Sequence, residues 1–175
     1  MLKLANRLMR VAEWIGSAAA WLVVPLILTT VFDVVSRRFF VLGSTRLQEL
    51  EWHFHAALML LCFGYGYVRN IHVRVDIFHS RFSPRTAAWI EALGCILFLF
   101  PYTGLVIYTG FDFAHRSFMQ GETSVASSGL SHRWIIKSTL FLGFSLVLIA
   151  SAGVFLRALH VLLYSYRGAR AKIWD

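Results

Sequence analysis

The chain has 175 residues, 58% of them hydrophobic and only 15% charged, with 17 Lys and Arg against 9 Asp and Glu for a net charge of +8. Mean hydropathy is +0.63, outside the range of water-soluble domains, and the length leaves room for one compact bundle without a second domain. The basic residues fall in loops and at the ends of apolar runs, not along a solvated face with interleaved aromatics, which argues against nucleic-acid binding and for membrane topology.

Four runs without Asp, Glu, Lys or Arg carry the fold: Trp14–Phe32, Trp52–Val68, Ala92–Phe111 and Ser138–Leu156. Each has roughly the 17–20 residues that an α-helix needs to cross about 30 Å of hydrocarbon. They predict an all-α polytopic membrane protein, one domain over 1–175, with spans at about 11–36, 48–68, 87–111 and 134–157. Before the first run, Lys3, Arg7 and Arg10 look like the n-region of a secretion signal, and Ser17-Ala18-Ala19-Ala20 like its cleavage site. The apolar run continues past those small residues through Trp21–Thr30, so an uncleaved first helix is expected. Pro25 predicts a kink within it.

Arg37-Arg38 closes the first span and Gly43-Ser44 breaks the chain before the second. Arg37 either pairs with Asp33 one turn back or meets Glu49 or Glu51 across the short loop and fixes the hairpin. The second span opens on the densest polar cluster, Glu49-Leu50-Glu51-Trp52-His53-Phe54-His55. On a helix Glu49 lies over His53 and Glu51 over His55 on separate faces, so a metal or haem would need ligands from other helices. His115 and His132 stand in loops and supply no convincing second ligand; no cofactor, metal or catalytic residue is expected.

After Val68 the apolar positions Ile71, Val73, Val75 and Ile77 alternate with period two, the mark of an extended or interfacial segment. Asp76 lies there between Arg74 and two histidines, His72 and His79, a pattern typical of a loop ion pair. Ser83-Pro84 then suits the cap and first position of a helix climbing into the third span, where Pro101 marks a second kink. The loop Gly121–Gly129, rich in Ser, Thr and Gly, is expected to be flexible.

Counting Lys and Arg orients the bundle. The N-terminal segment, the loop after the second span and the C-terminal tail hold eleven, and the opposite face holds six: Arg37, Arg38, Arg46, Arg116, Arg133 and Lys137. The excess belongs on the cytoplasmic side, so both termini are predicted to be cytoplasmic. Cys62 and Cys95 sit inside apolar runs and no CxxC is present, which excludes a disulfide oxidase built on loop cysteine pairs. The middle of each run lacks Asp, Glu, Lys, Arg and His. Ion or substrate paths need such groups at the midplane, so these helices read as an anchoring surface.

Together, Ser36-Arg37-Arg38-Phe39 ending the first span, Glu49-Leu50-Glu51 opening the second, and His72-Val73-Arg74-Val75-Asp76 in the inner loop form a pattern. In their order and spacing the chain resembles, over nearly its whole length, the small DctQ-type membrane subunit of tripartite ATP-independent periplasmic (TRAP) transporters. The stretch from His72 to Asp76 matches that family's H-x-x-V-D loop. Glu122-Thr123-Ser124 and Gly129-Leu130 through Lys137 resemble members linked to oxo- or hydroxy-acid uptake, though a proline expected near Ser131 is absent.

The resemblance implies a non-catalytic scaffold in the bacterial inner membrane. Its partners would be a large multi-span permease subunit, a periplasmic substrate-binding protein and membrane lipid, and the cargo an organic anion, usually a carboxylate, moved by a sodium gradient. Arg37, Glu49, Glu51, His72 and Asp76 are the candidate interface or structural residues. The alternative is a cytochrome b-like redox anchor, which a haem absorption band would reveal.

Overall fold

A computed structural model describes residues 1–40, 43–71 and 82–164. The described residues form helices and no strands: α1 (Leu2–Ala20), α2 (Val23–Phe40), α3 (Thr45–Val68), α4 (Pro84–Gly94), α5 (Phe100–Met119) and α6 (Trp134–Tyr164), with one π-helical turn, Cys95–Leu99, joining α4 to α5. Residues 72–77 of the alternating stretch lie outside the described residues.

Proline places both irregularities, each about one turn before the ring. Pro25 has no N–H to offer the Trp21 carbonyl and its ring crowds that group. The helix accordingly breaks at Trp21-Leu22, where Leu22 N–H bonds Ala19 O at 2.9 Å and Val24 N–H bonds Trp21 O at 3.0 Å, both i to i−3. Pro101 follows the π-turn, in which the Phe100 N–H reaches back to Cys95 O. Thr103 Oγ then donates to Leu99 O at 2.6 Å, satisfying a carbonyl within the irregular stretch.

The helix ends are built by local chemistry. Ser44 Oγ accepts the Leu47 N–H at 3.4 Å to cap α3, and Ser83 Oγ accepts the Thr86 N–H at 3.2 Å to cap α4, with Pro84 in its first turn. At the other ends, α3 and α5 close on Schellman motifs. Asn70 (φ 55°) and Gly121 (φ 57°) take the left-handed position. Ile71 N–H returns to Gly66 O and Glu122 N–H to Ser117 O, each at 3.0 Å.

In hydrocarbon, helices associate through close packing, not through water exclusion, so small residues mark the contacts. Helix α6 is the centre, packing against α1, α3, α4, the π-turn and α5, while α2 packs chiefly on α3. It buries Gly143, Val147, Ala150, Ser151, Gly153, Val154 and Ala158. A Cβ on Gly143 would lie 2.5 Å from Leu60 O of α3, and one on Gly64 of α3 would lie 2.9 Å from Leu146 O of α6. These pairs advance together along both helices, so α3 and α6 run parallel. Asn6 of α1 meets Arg157, and Gly110 of α5 meets Leu140, which sets α1 and α5 antiparallel to α6.

One end of the bundle therefore carries the α2–α3 turn and the α5–α6 loop. The other, the terminal end, carries the start of α1 and the finish of α6.

Among the described residues three segments are long and apolar enough to cross a membrane: Leu2–Phe40, Pro84–Met119 and Trp134–Tyr164. Helix α3, with 24 residues, is about 36 Å long. Its first turns hold Arg46, Gln48, Glu49, Glu51, His53 and His55, which dilute its hydropathy.

Candidate functional site

The polar chemistry gathers at the loop end. Asp33 is 2% exposed on the face of α2 turned to α3, and Arg37 one turn on pairs with its Oδ2. With the Gln48 amide turned so that its oxygen faces the guanidinium, Arg37 also donates to Gln48 Oε1 from both terminal nitrogens, at 2.6 and 2.7 Å. Of the alternatives open in the sequence, the Asp33 pairing is the one formed; Arg37 reaches across the hairpin to Gln48, and no hydrogen bond joins it to Glu49 or Glu51 among the described residues. Glu51 sits one turn beyond Gln48 and acts on Arg37 through its field.

Glu49 instead faces the α5–α6 loop. Its Oε2 accepts the Leu130 N–H at 2.6 Å and its Oε1 accepts the Ser124 hydroxyl. Ser124 Oγ in turn accepts the Ala126 N–H at 3.2 Å, and the Ser124 N–H bonds Leu130 O at 3.0 Å. Alongside, Arg46 Nε donates to Ser128 O at 3.1 Å and Ser128 Oγ lies 3.2 Å from Thr45 Oγ1. Gly129 is the residue that permits this closure: a Cβ there would stand 2.8 Å from Glu49 Oε2.

The loop is therefore tied down, against the expectation of flexibility drawn from its composition. Ser124 and Ser128 are held by bonds to α3 and to the loop's own main chain, where composition alone counts them as solvated, while Thr123 and Ser127 are exposed.

The Schellman turn after α5 delivers Glu122 to the same surface. Its carboxylate takes Lys137 Nζ, and Arg133 Nε stands 3.9 Å away. The Lys137 bond holds the Glu122 carboxyl below the usual carboxylate range. Lys137 Nζ also lies 3.9 Å from the centre of the Phe113 ring. The α5–α6 connection is thus stapled to α6 by one carboxylate and to α3 by another.

The described histidines of the loop end do not converge. His53 Nδ1 bonds the Glu49 main-chain carbonyl, not its carboxylate. His55 is exposed, His115 stacks on Phe111, and His132 Nδ1 lies 2.9 Å from Ser131 Oγ. Among the described residues no three His, Cys, Asp or Glu side chains form a group that could hold a metal. His72 and Asp76 lie outside the described residues.

At the terminal end, cross-links again join separate helices. Arg69 Nε pairs with Glu13 Oε1 at 2.7 Å, and Arg157 donates to Asn6 Oδ1 at 3.0 and 3.2 Å. Tyr67 OH donates to Glu91 Oε1 and lies 3.6 Å from Cys95 Sγ, at the mouth of a cavity of about 480 Å³ between α3 and the α4–π-turn segment.

Arg37–Asp33 follows from the one-turn spacing, whereas the partners that join separate elements do not, because a loop or a whole helix lies between them. The only signal in the chain for the Glu49 tether is a carboxylate at a helix start that needs donors, together with Gly129 in a Ser-rich loop.

The bonds described so far are structural clasps between helices and loops. A comparison with curated proteins finds no match. A match to the family described as "Tripartite ATP-independent periplasmic transporters, DctQ component" runs over residues 26–161, from the middle of the first apolar segment to the last turn of α6 and through the whole loop end. A membrane bundle clasped in this way suits that component, and the chain belongs to the DctQ family, the small permease subunits of TRAP transporters.

Proposed function

We propose that the chain is a non-catalytic scaffold that holds a large permease subunit in a bacterial inner membrane, within a secondary transporter that imports organic anions, carboxylates foremost, captured by a periplasmic binding protein. In this reading α3 is a fourth span, both termini are cytoplasmic, and the tied loop end is the periplasmic face. The chain's direction alternates from α1–α2 to α3, to α4–α5 and to α6, which supports four crossings. The observation that carries the reading is the placement of polar groups: Arg37, Glu49 and Glu122 are engaged in bonds that join elements at one end of the bundle. A subunit of this kind offers a rigid face to a partner. His72 and Asp76 are proposed as contacts on the opposite, cytoplasmic loop.

Co-expression with the neighbouring reading frames and affinity purification through this chain tests the proposal. A much larger multi-span protein should co-elute, and proteoliposomes holding this chain alone should show no anion uptake. Uptake by the isolated chain would overturn the scaffold role.

A further inference from the structure

Between α2 and α3, below the Arg37 clasp, lies a cleft of about 380 Å³ lined by Leu26, Thr30, Glu51, Trp52, His55 and Ala56. Glu51 Oε1 is buried and has no hydrogen-bond partner among the described residues; the same holds for Oδ1 of Asp33. Among the described residues Asp33 and Glu51 share the guanidinium of Arg37, which is already committed to Asp33 and Gln48, and the other titratable group lining the cleft is His55, one turn from Glu51. A carboxylate left without a partner in a low-dielectric cleft is costly, and a matching cation relieves that cost.

We infer that this cleft is a socket for a lysine or arginine carried on a helix of the large permease subunit. The inference rests on the scaffold reading above and specifies its contact. Three observations favour a protein side chain over other cations. The cleft has one underpaired carboxylate and no second acidic ligand, which suits a hydrogen-bonding cation better than a metal ion. Glu51 is six residues into α3, about 9 Å along the axis, below the level of the α2–α3 turn, where a side chain from an adjacent helix arrives laterally and a lipid ammonium does not. The cleft also continues onto bare apolar faces of α2, with Ile27 54%, Leu28 65% and Val31 56% exposed, and Trp52 at its rim is 77% exposed. A single helix laid against α2 fills that surface and brings its cation to Glu51.

The test uses the intact complex, tagged on this chain. Glu51→Lys should lower recovery of the large subunit at least about tenfold, with Glu51→Gln intermediate, and p-benzoyl-phenylalanine in place of Trp52 should photo-crosslink to the large subunit within a few residues of a Lys or Arg. Wild-type recovery with Glu51→Lys, or a probe at position 52 that captures only lipid, overturns the socket. Should Glu51→Lys fail to accumulate in membranes, the probe in the otherwise unaltered chain decides. Failure of the unaltered chain to retain any large subunit is a different result, and it removes the scaffold reading itself.

Discussion

Helices α2 and α6 are nearly alike in sequence character and opposite in circumstance. Both the segment containing α2 and that of α6 are apolar enough to cross a membrane, yet α2 is almost wholly uncovered and α6 is buried along much of one face. Hydropathy therefore says that both suit lipid and is silent on which one the bundle is built around. The deciding difference is side-chain size along one stripe. Helix α6 presents Gly143, Ala150, Ser151, Gly153 and Ala158 to its neighbours, while α2 buries only Asp33 and Ser36. Backbones approach where side chains are small, and dispersion contacts accumulate there; α2 is held mainly by a polar clasp at its far end.

Breaking the small-residue stripe should have the largest effect. Gly143→Leu drives a side chain into the Leu60 carbonyl of α3 and should cost about 3 kcal/mol, read as loss of the monodisperse species and a lower Tm in detergent. Next comes the loop tether: Glu49→Ala leaves the Leu130 N–H without its acceptor, and hydrogen exchange at that amide and its loop neighbours should rise roughly tenfold. Gly129→Ala should reproduce the pattern by pushing the loop off Glu49.

The Glu122–Lys137 pair should show a smaller, pH-dependent effect. Because the folded carboxyl titrates below its ordinary 4.5, the pair stabilises the loop fully above that value, and the contribution is lost as pH falls through the lowered one. Protection of the 120–133 amides, taken as observed exchange relative to the intrinsic rate at each pH, should therefore fall as the pH drops below 4.5, and Glu122→Gln should flatten that dependence. Last, Leu28→Ala on the bare face of α2 should leave the isolated chain within about 0.5 kcal/mol of wild type. A large loss there would mean that α2 packs within the chain after all, and the contrast with α6 would fail.

The parts legible in the sequence are those whose causes are local. Ser83-Pro84 announces the start of α4, and the apolar runs announce helices, because capping and length are properties of adjacent residues. Gly16, Gly64, Gly143 and Gly153 make close interhelical contacts whereas Gly94 and Gly104 face open space, a difference that a glycine in an apolar run does not announce by itself. The break at Trp21-Leu22, one turn before Pro25, follows from the bond that the ring removes. Asp33 was legible as a partner of Arg37, but Gln48 and the partners of Glu49 were not, because they depend on which loop the bundle folds over which helix start. Composition favoured a mobile loop at 121–129, since it registers polar groups without their acceptors.

The position of α6 in the chain also bears on biogenesis. The helix that α1, α3 and α5 all rest on is the last of the described helices to leave the ribosome. Until it enters the membrane, Ala5 and Met9 of α1 lack Gly153, and Gly110 of α5 lacks Leu140, the neighbours they pack against. Assembly of the bundle then waits on α6, and a nascent chain halted before Trp134 carries helices α1 to α5 without the one on which α1, α3 and α5 pack.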